Sequence, residues 1–134
     1  MRDIAGLKAR LDGAGIETSD ERALLRLRSR DFYWYSPVLK RQLDGKAAEL
    51  IVRPKTEAEV VATLAACREA RVPVTARGGA TGNYGQCVPL DGGVLLDMTG
   101  MDKCLGIAGG VAEIEPGAKL IDVDLWAREH GWEI

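Results

Sequence analysis

The spacing of apolar positions predicts two helices at the start of the chain. Apolar residues recur at helical intervals from Ile4 to Leu11, as expected for one face of an amphipathic helix. A second helix is predicted where a leucine-rich stretch follows Ser19-Asp20-Glu21, because side chains of this type cap helix N-termini. We therefore predict a helical N-terminal arm over residues 1–44 and a separate domain over residues 45–134.

The arm ends in an aromatic cluster. Four of the seven aromatic residues of the chain stand together at positions 32–35, directly before Ser36-Pro37. Large aromatic side chains dominate packing between elements, so this cluster is interpreted as the part of the arm that docks onto the body of the protein. A contact with a ligand, a membrane or a partner is the alternative.

A strand, a helix and a second strand are predicted next. The apolar run at 50–52 reads as a short buried strand, and Thr56 and Glu59 form a capping box at the start of a helix. The chain returns as a strand at 73–76. A crossover helix between two strands is typical of a parallel unit, so these two strands are predicted to form a parallel pair.

Beyond residue 93, short apolar runs alternate with glycine turns. This pattern predicts short strands at 94–97, 104–108 and 111–115. A last helix that ends near Gly131 is also predicted. The expected fold class is therefore α+β, without internal repeats.

Composition excludes several classes of function. With 134 residues, of which 46% are hydrophobic and 28% charged, the chain has the balance of one globular domain. A net charge of −2 provides no general basic surface, so nucleic-acid binding is not expected. No apolar run reaches membrane-spanning length, and the first residues lack the apolar core of a signal peptide, which predicts a cytoplasmic location.

Cysteine and histidine usage makes a metal site or a catalytic triad improbable. Cys67, Cys87 and Cys104 are odd in number and widely spaced, and His130 is the single histidine. This pattern matches neither a disulfide framework nor a zinc site, so no metal is expected. Chemistry is expected to come from a bound cofactor, and the sequence identifies no catalytic residue.

Four further side chains are given structural interpretations. His130 is expected to lie at the end of the last helix, where a cation favours the helix dipole. Asp122 and Asp124 cannot share a helix face at a spacing of two residues, so they are expected to be solvated. Cys87 is expected to be a small buried residue, although amides and Arg77 beside it would favour a reactive thiolate.

The segment 77–93 carries the strongest functional signal. It contains glycines at 78, 79, 82 and 85 after a short apolar strand. Glycines allow positive φ angles and close approach of a ligand to the main chain, so successive N–H groups can form an anion-binding nest. Arg77 is expected at the mouth of this nest, and Thr81 and Asn83 add further donors.

Two familiar nucleotide motifs do not fit this segment. No Gly-Lys-Ser/Thr follows the glycines, which excludes a P-loop. In the dinucleotide-binding fingerprint the glycines are followed directly by a helix. Here they are followed by Cys87-Val88-Pro89-Leu90, a sequence that does not favour a helix, so this fingerprint fits poorly. A purely structural turn remains the alternative from composition alone.

The order of the parts resembles a known flavoprotein domain. The sequence runs from a strand ending in proline through a capped helix and a Val-Pro-Val strand to an Arg-Gly-Gly loop, then Gly-Gly-Val-Leu-Leu-Asp and Glu-Pro-Gly. Together these resemble the p-cresol methylhydroxylase-type FAD-binding domain of the vanillyl-alcohol oxidase superfamily, in the branch similar to glycolate oxidase and D-lactate dehydrogenase. The resemblance covers residues 49–134 and is most specific at 77–102. It implies the first α/β subdomain and the start of a second sheet.

The resemblance implies that this loop holds the diphosphate of FAD. Pro54 would flank the adenosine, the turn at 115–117 would approach the cofactor, and Tyr84 would stack on a cofactor ring or pin the loop. Relatives that attach flavin covalently through this loop use a histidine, where this chain has Ala80 and Thr81; non-covalent FAD is therefore predicted. The candidate cofactor-binding residues are Arg77, Gly78, Gly79, Ala80, Thr81, Gly82, Asn83, Tyr84, Gly85, Gln86, Pro54 and Gly117.

The resemblance stops at Ile134, inside the family pattern, so the chain is expected to be the N-terminal portion of a longer enzyme and inactive alone. That enzyme is expected to oxidise a small 2-hydroxy acid to a 2-oxo acid. A flavin reductase of the kind that makes UDP-N-acetylmuramate and a non-catalytic nucleotide- or partner-binding module are the alternatives. Exposed apolar surface is expected to cause homo-oligomerisation or other association.

Overall fold

The computed structural model describes residues 2–134. Their helices are α1 (Ile4–Gly13), α2 (Arg22–Arg28), α3 (Pro37–Leu43), α4 (Glu57–Glu69) and α5 (Leu120–Glu129). Their strands are β1 (Glu17–Ser19), β2 (Leu50–Arg53), β3 (Val74–Arg77), β4 (Val94–Asp97), β5 (Cys104–Ala108) and β6 (Val111–Ile114). Single 3-10 turns lie at Tyr33–Tyr35 and Met98–Gly100. The mixture of helices and sheets confirms the predicted α+β class.

The main sheet has the strand order β1-β2-β4-β3. β2 and β3 were predicted to pair with each other, and this is wrong: each is parallel to β4, which lies between them. All four residues of β4 are buried. A strand that is covered on both faces of a sheet has a continuous run of apolar residues. The Val-Leu-Leu run of β4 fits this rule, whereas β3 is only partly buried, so β4 takes the central position.

Helices cover both faces of this sheet. Leu50 and Val52 of β2 pack with residues of α1 and α4, whereas Ile51 points to the opposite face and packs near Leu24 and Leu25 of α2. Alternate residues of a strand face opposite sides of a sheet. The result is a three-layer arrangement with α1 and α4 on one side and α2 on the other.

The first 44 residues are more than a helical arm. β1 pairs antiparallel with β2, with Thr18 opposite Val52, and Leu7 and Leu11 of α1 are buried in the main core. The Glu-Thr-Ser sequence of β1 has no apolar pattern, so sequence periodicity could not reveal this edge strand. The predicted cap of α2 is also absent, because the helix has no side-chain cap bond. The domain boundary at residue 44 stays a prediction.

The remaining elements follow the sequence closely. Thr56 caps α4 by accepting a hydrogen bond from Glu59 N at 3.2 Å, while the Glu59 carboxylate accepts from Lys55 N at 2.8 Å. Gly109 and Gly110 have φ angles of 58° and 79° in the turn that joins β5 to β6, as a tight hairpin requires. This hairpin is a separate two-stranded sheet.

Candidate cofactor-binding site

The glycine loop leaves the main sheet at the carboxyl edge of its parallel strands. Arg77 ends β3 and lies in register with Asp97, which ends the neighbouring β4. Ligands of open α/β sheets bind outside the carboxyl ends of the strands. The loop that follows Arg77 therefore starts at the edge where a ligand is expected.

Five consecutive amides of the loop are free. Within residues 2–134, the main-chain N–H groups of Gly79, Ala80, Thr81, Gly82 and Asn83 donate no hydrogen bond to the protein. Main-chain N–H groups are obligatory donors. Such a run of unengaged donors can bind an anion with main-chain atoms alone.

The second half of the loop is held by the segment that begins at Asp31. Gly85 N donates to Asp31 Oδ2 at 2.8 Å, and Phe32 N donates to Gly82 O at 2.9 Å. The other oxygen of Asp31 accepts from Tyr33 N at 2.9 Å. The loop is thus bound to the N-terminal part of the chain on the side that leaves residues 79–83 free.

A cleft of about 450 Å³ separates the free amides from the end of α2 and the aromatic segment. Four arginines and one carboxylate line it, which gives a positive site suited to phosphate oxygens. The lining residues are Arg26, Leu27, Arg28, Arg30, Asp31, Phe32, Trp34, Arg77, Gly79, Ala80 and Thr81. Free amides and guanidinium groups together fit the diphosphate bridge of a dinucleotide cofactor.

A family model described as FAD binding domain matches residues 48–134. The chain belongs to this family. It is 32% identical over 133 residues to the glycolate oxidase subunit GlcD of Escherichia coli (strain K12), covering 90% of this chain and 27% of that protein. It is 37% identical over 90 residues to the D-lactate dehydrogenase of Anaerostipes hadrus, covering 65% of this chain and 19% of that protein.

A solved structure of an alkyldihydroxyacetonephosphate synthase shares the fold. The TM-score is 0.79 at 20% sequence identity, covering 96% of this chain and 28% of that chain. The predicted fold and the predicted relationship to FAD-linked oxidoreductases are therefore confirmed. The chain spans about a quarter of the length of the glycolate oxidase subunit.

Arg77, at the start of the glycine loop, is placed differently from the sequence expectation. Arg77 is only 8% exposed. Its Nε donates to Gly78 O at 3.2 Å, and a guanidinium nitrogen donates to Arg28 O. Arg77 therefore does not stand at the mouth of a nest. Its guanidinium group donates hydrogen bonds to two carbonyl oxygens, which fixes the first residue of the loop to the end of α2. Its charge still contributes to the wall of the cleft.

Two glycines of the loop lie close to neighbouring atoms and do not have left-handed angles. A Cβ atom on Gly82 would lie 2.7 Å from Gln86 Oε1, and one on Gly78 would lie 3.3 Å from Pro116 O. Of the four loop glycines only Gly85 has a positive φ, at 79°; the other left-handed residue is Ala80, at 55°. Close packing against a backbone oxygen therefore explains Gly78, whereas the flexible Gln86 side chain has room to move away from a Cβ atom on Gly82.

The outer part of the loop lies away from the cleft lining. Tyr84 is 71% exposed, and its N–H donates to the Gln86 side chain at 3.1 Å. Asn83 is also exposed. The structure thus places Tyr84 where it does not pin the loop, and a stacking role for its ring stays a prediction.

Pro54 and Gly117 lie at the same edge but are buried. Gly117 N donates to Met101 O at 2.8 Å, and a Cβ atom there would lie 2.1 Å from Met98 O. Pro54 is fully buried, and its carbonyl oxygen would lie 2.7 Å from a Cβ atom on Gly100. Their close packing gives both residues a structural role, and their predicted contacts with the cofactor stay predictions.

The aromatic segment packs against the protein and also lines the cleft, while its contact with a ligand, a membrane or a partner stays a prediction. Tyr33 is 1% exposed and donates from its hydroxyl to Asp44 at 3.0 Å, so it packs the segment against the protein. Phe32 and Trp34 line the cleft instead, with their ring centroids 5.1 Å apart. Arg30 lies 5.0 Å from the Trp34 ring centroid, a cation–π distance.

Cys87 and His130 have the structural roles expected of them. Cys87 is buried, and burial raises the pKa of its thiol, although the Arg77 charge acts in the opposite direction. His130 is the C-cap residue of α5, with Nδ1 2.8 Å from Trp126 O. Asp124 pairs with Arg128 at 2.9 Å instead of standing free, and its pKa is lowered chiefly by that hydrogen bond.

Sequence reasoning missed Asp31 and Asp97. Asp97 is 2% exposed; it accepts from Thr99 N at 3.1 Å and lies 3.5 Å from a guanidinium nitrogen of Arg28. An aspartate directly after an apolar strand was the available signal. Asp31 has no comparable signal, because its partners in the loop are more than fifty positions away along the chain.

Two other kinds of site are absent from residues 2–134. No helix in this range combines the length and apolar character needed to cross a bilayer. No group of three or more His, Cys, Asp or Glu side chains there is arranged to hold a metal ion.

Proposed function

We propose that this chain is the N-terminal part of the FAD-binding domain of a flavin-dependent oxidoreductase, and that residues 79–83 hold the diphosphate of FAD. The observation that supports this most directly is the run of five free amides, the first three of which belong to residues that line the arginine-rich cleft. Arg26, Arg28 and Arg30 supply positive charge across from these amides, and Arg77 fixes the start of the loop.

The intact enzyme is proposed to oxidise a small 2-hydroxy acid to the 2-oxo acid in the cytoplasm. The names of two relatives, a glycolate oxidase subunit and a D-lactate dehydrogenase, support this substrate class. When bound, FAD supplies the electron acceptor for the oxidation, while this chain binds and orients the cofactor. The chain covers 27% of the glycolate oxidase subunit, so we expect the 134-residue protein alone to have no turnover.

FAD is proposed to be dissociable. The loop contains no histidine, and His130 lies on α5 with its ring against Trp126. Cys87 follows the loop, but its thiol is buried. After acid precipitation of the FAD-loaded protein, all yellow colour is expected in the supernatant; flavin retained in the pellet would contradict non-covalent binding.

Titration with FAD tests the proposal. Saturation at one hundred times Kd should stabilise the protein by about 2.7 kcal/mol, which corresponds to a rise in Tm of about 10 °C for a chain of this length. ADP and inorganic pyrophosphate should compete, because both carry the diphosphate. If FAD neither changes its fluorescence nor raises Tm, cofactor binding by this chain is refuted and the non-catalytic module is favoured.

Gly79→Val separates a functional loop from a structural one. A Cβ atom on Gly79 would have Thr81 Cγ2 as its nearest neighbour at 3.7 Å, so the protein has room for a side chain. The new side chain would instead occupy space beside the free amides, and FAD affinity should fall about tenfold or more, a loss of about 1.4 kcal/mol. Gly13→Val is the matched control, since that site is open and lies on α1. Unfolding of Gly79→Val alone would show that the loop is structural.

A further inference from the structure

Asp31 fixes the second half of the glycine loop through its carboxylate and the backbone that follows. It is 3% exposed, and its two oxygens accept from Gly85 N and Tyr33 N at 2.8 and 2.9 Å. The next amide, Phe32 N, donates to Gly82 O at 2.9 Å. These three bonds connect one short segment to both sides of the exposed loop tip.

We infer that Asp31 is a positioning residue that holds the glycine loop in the conformation in which its free amides can bind the diphosphate. This inference rests on the proposed function. Asp31 acts through the loop and is not itself proposed to touch the cofactor.

The anchor on the Asp31 side is buried and hydrogen-bonded. Tyr33, which shares the carboxylate, is 1% exposed, and its hydroxyl donates to Asp44 at 3.0 Å. The loop, in contrast, contains glycines at 78, 79, 82 and 85, whose backbones lose the most conformational freedom on ordering. The bond from Gly85 N to a buried charged acceptor, together with the bond from Phe32 N to Gly82 O, orders the loop before the ligand arrives, which lowers the entropy lost on binding.

The charge of Asp31 makes this role distinguishable from simple electrostatics. A carboxylate in the lining of a cleft repels an anionic ligand, so neutralising it would strengthen binding if charge alone mattered. Asn in place of Asp keeps one acceptor oxygen but presents an NH2 group to the second amide. A positioning role therefore predicts weaker binding from Asp31→Asn, which is the opposite sign.

The test compares Asp31→Asn with Asp20→Asn, in which an exposed carboxylate is removed with the same change in net charge. We expect Kd for ADP and FAD to rise about tenfold in Asp31→Asn, as for loss of one hydrogen bond to a charged group. Asp20→Asn should bind like the unaltered protein. Hydrogen exchange without ligand should become about tenfold faster at Gly85 N and Phe32 N, with no change for amides of β2 and β4.

Each result decides the question. Unchanged or tighter ADP binding by Asp31→Asn, or unchanged exchange at Gly85 N, overturns the inference. If the unaltered protein binds neither ADP nor FAD, the proposed function fails, and the exchange measurement still tests whether Asp31 orders the loop. Asp31→Ala is the second variant; loss of cooperative unfolding in both variants would make Asp31 a residue of general stability and refute a specific positioning role.

Discussion

Replacing Ala80 by glycine is expected to stabilise the protein. Ala80 has a φ of 55° within the cofactor loop. This left-handed conformation brings Cβ close to the following carbonyl oxygen and costs a residue with a side chain about 1–2 kcal/mol. Glycine avoids this contact. However, glycine loses more conformational freedom on folding than alanine does, which lowers the stabilisation by about 0.5–1 kcal/mol.

The net stabilisation from Ala80→Gly should therefore be about 0.5–1 kcal/mol. With an unfolding entropy of about 2.1 cal/mol/K per residue, it corresponds to a rise in Tm of about 2–4 °C for a chain of this size. Arg71, with a φ of 54°, directly follows α4, where Val72 N donates to Cys67 O at 2.9 Å. This is the helix-ending position that favours glycine, so Arg71→Gly should produce a similar rise.

Thermal unfolding followed by circular dichroism measures these effects. Ala65→Gly is the matched control, because Ala65 is exposed in the middle of α4 and glycine there costs about 1 kcal/mol. The same chemical change should thus raise Tm at position 80 and lower it at position 65. A fall in Tm for Ala80→Gly as large as that for Ala65→Gly would refute the assigned backbone conformation of the loop.

Two further predictions concern packing at the same edge of the fold. Gly117→Ala should destabilise the protein by about 3 kcal/mol or more in urea unfolding, because the new methyl group would lie 2.1 Å from Met98 O; a loss below about 1 kcal/mol would contradict this packing. Cys87 should react slowly with iodoacetamide at pH 8 in the native protein and rapidly in urea, since burial raises the pKa of its thiol. Equal native and unfolded rates, resolved by peptide mass spectrometry, would show that Cys87 is accessible.

The sequence predicted those elements whose signals are local. The capping box at Thr56 lies within four residues, and the turn at Gly109-Gly110 lies within the hairpin it closes. The order of strands in the main sheet depends instead on which strand can be covered on both faces. That is a property of the whole assembly, so the central place of β4 and the edge position of β1 were not predicted.

The candidate site divides in the same way. A run of glycines after β3 indicated where amides could be free, and five consecutive amides there are unengaged within residues 2–134. The hydrogen bond from Arg77 to Arg28 O was not predicted, because the two residues are 49 positions apart, and the contact of Arg77 with a cofactor stays a prediction. A guanidinium group donates to any correctly placed acceptor. In this fold a carbonyl oxygen at the end of α2 is such an acceptor, and it occupies a donor that was predicted to bind a ligand.

Two contacts that the sequence missed explain why the loop can have free amides at all. A loop of glycines with unengaged donors would gain by collapsing onto any nearby acceptor. Arg77 draws the start of the loop to α2, and Asp31 holds its end at Gly85. Between these fixed points the chain at 79–83 cannot fold back onto its own carbonyls without breaking buried charged hydrogen bonds. The availability of the amides to an anion is thus a consequence of residues that need not touch it.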